Sequence, residues 1–409
     1  MSPGPSSVPG PRTVLGRSVT VPGFPRRVAV LGATGSIGEK ALAVAARHPD
    51  AFTVTAIAAR NSVSALAEAA TRHRVPRVAV ADAEAAADLA GRLPAGTRLA
   101  AGAPAVAELA ADPEVDLVVN GITGRAGLEA SLAAVASGKM LALANKESMV
   151  LAGELIMRTA AAHDALVIPV DSEHSGLFQC LAGVPLGDVR RLIITASGGP
   201  FRGRSREGLA SVTPAEALRH PVWPMGPRIT VDSATLFNKG LEVLETHHIF
   251  GFPLERIDVW VHPQSVVHAL VETVDGSLLA QLSAPDMTLP IQLAMGWPVR
   301  READAPSCRL PDWKELRFED PDHRTFPAIE LARSAARRGG TAPAALNAAD
   351  EVAVEAFLAG RLPFLEIIPV VEEVVGRVPV RPADSLEAVI EADRAAREAA
   401  RARLERRIP

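Results

Sequence analysis

The 409-residue chain has no tyrosine and only two cysteines, Cys180 and Cys308. Without tyrosine, the proton-relay chemistry of the usual short-chain dehydrogenases is excluded. Two cysteines cannot build a disulfide framework, and a reducing compartment fits them. Long apolar runs are missing too: none approaches the roughly 20 residues that a membrane span needs. Positive charge is not in excess. Lys and Arg number 43 against 47 Asp and Glu, a net charge of −4, so no global field draws the chain to nucleic acid or an anionic membrane. Acids are absent from the first 27 positions, which are rich in Pro, Ser, Gly and Arg. Residues 1–27 read as a disordered N-terminal tail, because they bury too little apolar surface to fold. An organelle transit peptide has the same composition, whereas the apolar core of a secretory signal is lacking. A cytoplasmic location is the expectation.

What is present is the profile of a globular protein, 48% hydrophobic and 22% charged, long enough for two or three domains. From Val28 to about Val170, short β-branched runs alternate with helical stretches: Val28–Leu31, Thr53–Ala58, Val78–Ala81, Leu117–Asn120, Met140–Ala144 and Leu166–Val170. Strands spaced by helices predict a doubly wound, Rossmann-like parallel sheet over 28–171. The character changes from Val189. Strand candidates at 192–195, 257–261, 266–271 and 277–282, the last two joined by an Asp275-Gly276 turn, predict a mixed α+β domain over 172–300. A Pro-rich linker covers 301–327, and 328–409 reads as a helical C-terminal domain. Its many arginines are interleaved with Glu387, Glu391, Glu398 and Glu405, the pattern of a solvated helix face rather than of a nucleic-acid contact.

After the first strand comes Gly32-Ala33-Thr34-Gly35-Ser36-Ile37-Gly38, opening into a helix. Such a loop allows a tight turn, close backbone approach to a pyrophosphate, and a helix N-terminus facing its charge. The second strand ends Ala58-Ala59-Arg60-Asn61, with Arg60 22 residues beyond Gly38. An NAD site carries an acid about there to bind the ribose hydroxyl. A guanidinium suits a 2′-phosphate instead, so the cofactor is expected to be NADP(H).

Asp171-Ser172-Glu173 ends another strand. Residues two apart on an extended segment face the same way, so both carboxylates are expected to aim at one point, where a hard cation such as Mg²⁺ or Mn²⁺ relieves their repulsion. A helix N-cap with a first-turn acid is the alternative use of this pair. Further on, Ser233 reads as a helix N-cap. Asn238, Lys239 and Glu242 then share a helix face, which suits an anionic, hydroxylated ligand with a metal, or a plain ion pair in solvent. Gly240 inside that helix implies close approach by something. Ser197-Gly198-Gly199-Pro200 can form a backbone nest for phosphate, and His220-Pro221-Val222-Trp223-Pro224-Met225-Gly226 a lid that excludes water.

These motifs, with Leu143-Ala144-Asn145-Lys146-Glu147-Ser148, Val170–His174 and His262-Pro263-Gln264-Ser265, closely resemble those of the 1-deoxy-D-xylulose 5-phosphate reductoisomerases. They run in family order from Val28 to the C-terminal helices. The resemblance implies a three-domain homodimer that uses NADPH and a divalent cation on a sugar-phosphate substrate. It implies that Gly32, Thr34, Gly35, Ser36, Ile37, Ala59, Arg60, Asn61, Asn145, Glu147 and Gly226 serve the cofactor, and that Asp171, Glu173 and Glu242 hold the metal. Ser197, Ser233, Asn238 and Lys239 would hold the substrate phosphate, Lys146 and Ser172 would reach its reacting end, and His220 and Trp223 would close over it. Three departures stand out: Ala59 where the family usually has Gly, Arg60 where it often has Lys, and Asp350 where Asn is commoner. Two other readings stay open. One is a semialdehyde-dehydrogenase type of reductase, for which Cys180 is the candidate nucleophile; the other is a non-catalytic NADP-binding sensor.

Overall fold

The computed structural model describes residues 10–223 and 225–406. The expectation of disorder for residues 1–9, and Pro224 of the 220–226 loop, therefore lie outside the described residues. The chain divides into two compact units: Met1–Ser148, Ile156–Leu186 and Asp286–Pro306 form the first, and Met149–Leu155, Gly187–Pro285 and Ser307–Pro409 the second. These are not the boundaries expected at 171/172 and 300/301.

The tail expected over 1–27 is ordered from residue 10. An antiparallel hairpin, β1 (Gly10–Val14) and β2 (Arg17–Val21), occupies it. Val19 and Val21 are buried, and the Thr20 amide donates to Asp164 Oδ2 at 3.2 Å. Two valines and one long-range hydrogen bond thus fix a stretch whose composition alone predicted none.

The body of the first unit alternates strand and helix: β3 (Arg26–Leu31), α1 (Ser36–Arg47), β4 (Phe52–Ala59), α2 (Val63–Arg72), β5 (Arg77–Val80), α3 (Ala86–Ala90), β6 (Arg98–Ala101), α4 (Ala103–Ala111), β7 (Leu117–Asn120), α5 (Leu128–Ala136), β8 (Met140–Leu143), α6 (Lys146–Ala162), β9 (Leu166–Pro169) and α7 (Ser172–Leu181). The seven strands pair in parallel in the order β6-β5-β4-β3-β7-β8-β9. Helices cover both faces of such a sheet, so its inner strands bury side chains without alternation; β7 and β8 are buried at every position, and so is the edge strand β9. Strand order reverses between β4-β3 and β7, and the carboxyl ends at such a switch point form a ligand crevice.

Residues 286–306 return to this unit through Arg26, which is fully buried. Its Nη1 and Nη2 donate to the Met295 and Trp297 carbonyls at 2.6 Å each, and its guanidinium stacks on Phe24. Burial lowers its pKa to about 10. Four hydrogen bonds to carbonyls keep this buried cation satisfied. Lys40 of α1 adds an ion pair to Asp286 at 3.1 Å.

In the second unit, β10 (Val189–Ala196) precedes α8 (Pro214–Ala217), α9 (Pro227–Ala234) and α10 (Phe237–Phe250). Next come β11 (Ile257–Val261), β12 (Val267–Thr273) and β13 (Leu278–Leu282). The sheet runs β11-β10-β12-β13, with β10 parallel to β11 and the other pairs antiparallel. After α11 (Thr288–Gly296), which belongs to the first unit, come α12 (Ala328–Arg338), α13 (Ala342–Leu358), α14 (Ile367–Arg377) and α15 (Leu386–Glu405). Much of the expected 301–327 linker is pinned: Val261 and Glu319 form a two-way backbone bridge, and His262 Nδ1 donates to the Arg317 carbonyl at 2.8 Å while the ring stacks on Phe318. In the C-terminal helices, Arg397 and Arg403 are ion-paired with Asp393, Glu351 and Glu373.

Candidate active site

The glycine loop joins β3 to α1 at the switch point. Gly32 has φ +77°, and a Cβ there would sit 2.8 Å from the Gly121 backbone; one at Gly38 would overlap the Gly32 carbonyl. Only glycine fits either position. The α1 N-cap, Gly35, makes no side-chain bond to the first-turn amides, and Gly35 and Ser36 are exposed. This is a cradle for a pyrophosphate at a helix N-terminus, so the residues fit a dinucleotide. Arg60 and Asn61 follow β4 and are exposed. Ala59 is a regular strand residue, its carbonyl bonded by the Ala81 amide at 3.0 Å, so the Cβ at this departure from the family pattern is accommodated.

At the next strand ends, Asn145 caps α6, accepting from the Ser148 amide at 2.9 Å. Its Nδ2 donates to the Ile122 and Gly124 carbonyls at 2.6 and 2.9 Å and to Glu147 at 3.0 Å. The side chain therefore holds the loop after β7. Beneath it lies a buried polar layer that sequence reasoning missed. Asn120 donates to the Gly127 carbonyl and Ser131 Oγ, both at 2.8 Å, and Ser131 meets Ser148 at 3.0 Å. Its members have no short-range sequence signature.

Lys146, the first residue of α6, places Nζ 2.7 Å from Asp171 Oδ2. The extended segment expected at Asp171–Glu173 is not there. β9 stops at Pro169, and Asp171 is the N-cap of α7, with Ser172 and Glu173 in the first turn. Asp favours that position, yet its carboxylate makes no cap hydrogen bond. It turns to Lys146 instead, while Ser172 Oγ donates to Glu173 Oε2 at 2.6 Å. Carboxylate oxygens left out of the helix cap, on partly buried residues at a strand mouth, are the donor set that a hard divalent cation takes.

In the second unit, Ser233 lies inside α9, not at an N-cap, because Leu236 in the left-handed region (φ 59°) starts α10. On α10, Glu242 accepts from Asn238 Nδ2 at 2.6 Å and is ion-paired with Lys239. Lys239 is 4% and Glu242 1% exposed, which rules out a solvated surface pair. Burying such a group is costly unless it is paired or bound. The close approach implied by Gly240 comes from α12: a Cβ there would meet Ala332 Cβ at 2.9 Å.

After β10, Gly198 and Gly199 take φ +84° and +70°, and the Gly199 amide donates to Ser197 Oγ at 3.2 Å. This turn lays Gly199 against α9, where a Cβ would be 2.6 Å from the Ser233 carbonyl. His220 then bridges the two serines, its Nε2 3.1 Å from both Ser197 Oγ and Ser233 Oγ. Its Nδ1 accepts from the Val222 and Trp223 amides at 3.2 and 2.8 Å, which fixes the proton on Nε2. Burial pushes its pKa down to about 4, so it stays neutral near pH 7. Trp223 packs against His268, ring centroids 6.3 Å apart, and Gly226 opens α9. Ser197, His220, Ser233 and Trp223 thus form one local group.

Three family models match in chain order: 1-deoxy-D-xylulose 5-phosphate reductoisomerase over residues 28–153, its C-terminal domain over 167–250, and the DXP reductoisomerase C-terminal domain over 282–399. The 1-deoxy-D-xylulose 5-phosphate reductoisomerase of Xanthomonas campestris pv. campestris (strain 8004) is 54% identical over 376 residues, 91% of this chain and 95% of that protein. The chain belongs to the 1-deoxy-D-xylulose 5-phosphate reductoisomerase family. The Zymomonas mobilis reductoisomerase solved with NADPH superposes with a TM-score of 0.88 at 45% identity, covering 93% of this chain and 99% of that one. A second solved reductoisomerase, in complex with NADPH, fosmidomycin and magnesium, has a TM-score of 0.88 at 37% identity, covering 93% and 98%. Membership disfavours the semialdehyde-dehydrogenase reading, and so does Cys180, whose thiol is pushed up to about 11 by burial; a neutral thiol is a poor nucleophile. Among the described residues no helix is long and apolar enough to cross a membrane.

Proposed function

We propose that the chain isomerises and reduces 1-deoxy-D-xylulose 5-phosphate to 2-C-methyl-D-erythritol 4-phosphate with NADPH and a divalent cation, Mg²⁺ or Mn²⁺, as a cytoplasmic homodimer in the non-mevalonate route to isoprenoids. One observation carries the reading within this family: the Asp171 carboxylate, at the mouth of the dinucleotide sheet, is turned from its helix cap to Lys146 Nζ at 2.7 Å.

When bound, the divalent ion supplies Lewis acidity at the substrate's ketone and neighbouring hydroxyl, and the nicotinamide supplies a hydride. Asp171, Glu173 and Glu242 are the ion's proposed ligands. Lys146, already beside one of them, orients a substrate oxygen. Ser172 reaches the same end of the substrate. Ser197, Ser233, Asn238 and Lys239 bind the phosphate, with Lys239 bringing the ammonium charge. His220 adds an Nε2–H donor that carries no charge of its own, and Trp223 closes over the substrate to exclude water. On the cofactor side, Gly32, Thr34, Gly35, Ser36 and Ile37 take the pyrophosphate and Arg60 and Asn61 the 2′-phosphate. Asn145 holds the adjoining loop, and Glu147 and Gly226 also serve the cofactor. The rearranged aldehyde accepts the hydride and one proton, which balances the reduction.

The test follows NADPH absorbance with 1-deoxy-D-xylulose 5-phosphate, first with Mg²⁺ or Mn²⁺ and then with a chelator. Oxidation that the chelator abolishes is expected. NADPH bound by folded protein without oxidation would overturn the proposal.

A further inference from the structure

Three helices of the second unit enclose a cluster of ionisable side chains that the proposed reaction does not use. Asp232 of α9 is 3% exposed and Asp350 of α13 is 0% exposed. Arg228, one turn before Asp232, lies 3.6 Å from an oxygen of each, beyond hydrogen-bond length. Its short contacts go to Glu351 at 2.7 Å and Asn347 at 2.8 Å. Arg397 of α15 is bonded to Glu351 and, at 2.8 and 3.0 Å, to Asp393. Four carboxyl groups therefore share two guanidiniums, and neither makes a close bond to Asp350. On α12 and α14, which also pack on α13, Arg333 donates to the Leu254 and Ile257 carbonyls, Arg338 to the Val375 carbonyl, and Glu373 pairs with Arg377 and Arg403. Among the described residues, neither oxygen of the buried Asp350 has a hydrogen-bond donor beside it, and Asp232, held at the same 3.6 Å from the same guanidinium, is the neighbouring acid whose charge raises its proton affinity. Two carboxylates in contact away from water do not both ionise; one keeps a proton and donates it to the other.

We propose that Asp350 is held as a carboxylic acid that donates its proton to Asp232, and that this bond makes Asp350 a positioning residue for α9, the helix presenting Ser233. Its effect on substrate binding rests on the reductoisomerase reading; its protonation state does not. Burial, and then the Asp232 charge, push the Asp350 carboxyl well above the usual carboxylate range, with Arg228 opposing. Ionisation would set two anions against each other across α9 and α13. Ser233 follows Asp232 directly, and its Oγ is one end of the 3.1 Å contact to His220. Movement of α9 is thereby passed to the serine pair.

Linkage gives the sign. The folded state keeps a proton that the unfolded chain releases near pH 4, so the stabilisation is full below that pH and is lost as pH rises through the folded value. D350N keeps a donor to Asp232 but does not titrate; D350A removes the donor. We expect a carboxylic-acid carbonyl band in the infrared spectrum of the wild-type chain that D350N lacks. The wild-type unfolding constant, relative to that of D350N, should climb with pH by up to about tenfold per unit. The KM for 1-deoxy-D-xylulose 5-phosphate should rise in alkali in the wild type, stay flat in D350N, and be raised at every pH in D350A. No acid band and parallel unfolding curves over about pH 5 to 9 would overturn the protonated pair. An acid band with pH-independent wild-type KM would overturn the positioning role. If no variant turns over, the catalytic reading fails separately, and the infrared and unfolding arms still decide the protonation state.

Discussion

Gly199→Ala probes the geometry that joins Ser197 to Ser233. A methyl there would lie 2.6 Å from the Ser233 carbonyl and 3.1 Å from Ala234 Cα. An ordinary contact asks for a retreat of roughly 1 Å, and at φ +70° alanine adds about 1 kcal/mol of left-handed strain. Displacement on that scale takes at least one of the two 3.1 Å His220 contacts past hydrogen-bond range. A hydrogen bond to a charged group such as the substrate phosphate contributes about 1.5–3 kcal/mol. KM for the sugar phosphate should therefore rise on the order of 10- to 100-fold, with NADPH affinity in the first unit unchanged. Steady-state kinetics and cofactor fluorescence titration measure both. A variant with unaltered melting temperature and a KM within about twofold of wild type would refute the close-approach argument, because the turn would then have absorbed the methyl without moving either serine.

Two further outcomes are expected. Arg60→Ala should lower the NADPH-to-NADH ratio of kcat/KM by about 10-fold or more, given the strength of charged hydrogen bonds; an unchanged ratio would remove Arg60 from the 2′-phosphate site. Acid should weaken the fold through His248, which burial beside Gly153 of α6 holds neutral, its pKa down to about 4. Because the folded value lies below the unfolded one near 6.5, stability is intact above about pH 6.5 and falls as pH drops towards 4. His248→Gln should flatten that slope in thermal melts, and an unchanged slope would assign the acid lability elsewhere.

What could be read from the sequence was what is local. β7 and β11 matched at both ends, because full burial or strict alternation marks every residue of a short strand. β6, Arg98–Ala101, went unseen: an edge strand of Arg, Leu and two alanines carries neither β-branched residues nor alternation. The i,i+3 and i,i+4 contacts of Lys239 and Asn238 with Glu242 followed from helix spacing, whereas the burial that takes Lys239 and Glu242 out of solvent depends on distant chain. Asp171 shows the same limit at closer range. Two acids separated by one residue were read as an extended pair, but a proline-ended strand and a favourable N-cap residue start a helix there. Lys146 reaches Asp171 because β8 and β9 are parallel neighbours whose carboxyl ends release both residues at the same edge. No periodicity within 25 residues of sequence states that adjacency; the strand order does. The Ser197–His220–Ser233 group makes the converse point. A Gly-Gly doublet announced a turn, and its second glycine proves to be required by the carbonyl of a serine 34 positions on. The residue type was legible and its reason was not, and in such close approaches a glycine records a neighbour that sequence spacing cannot name.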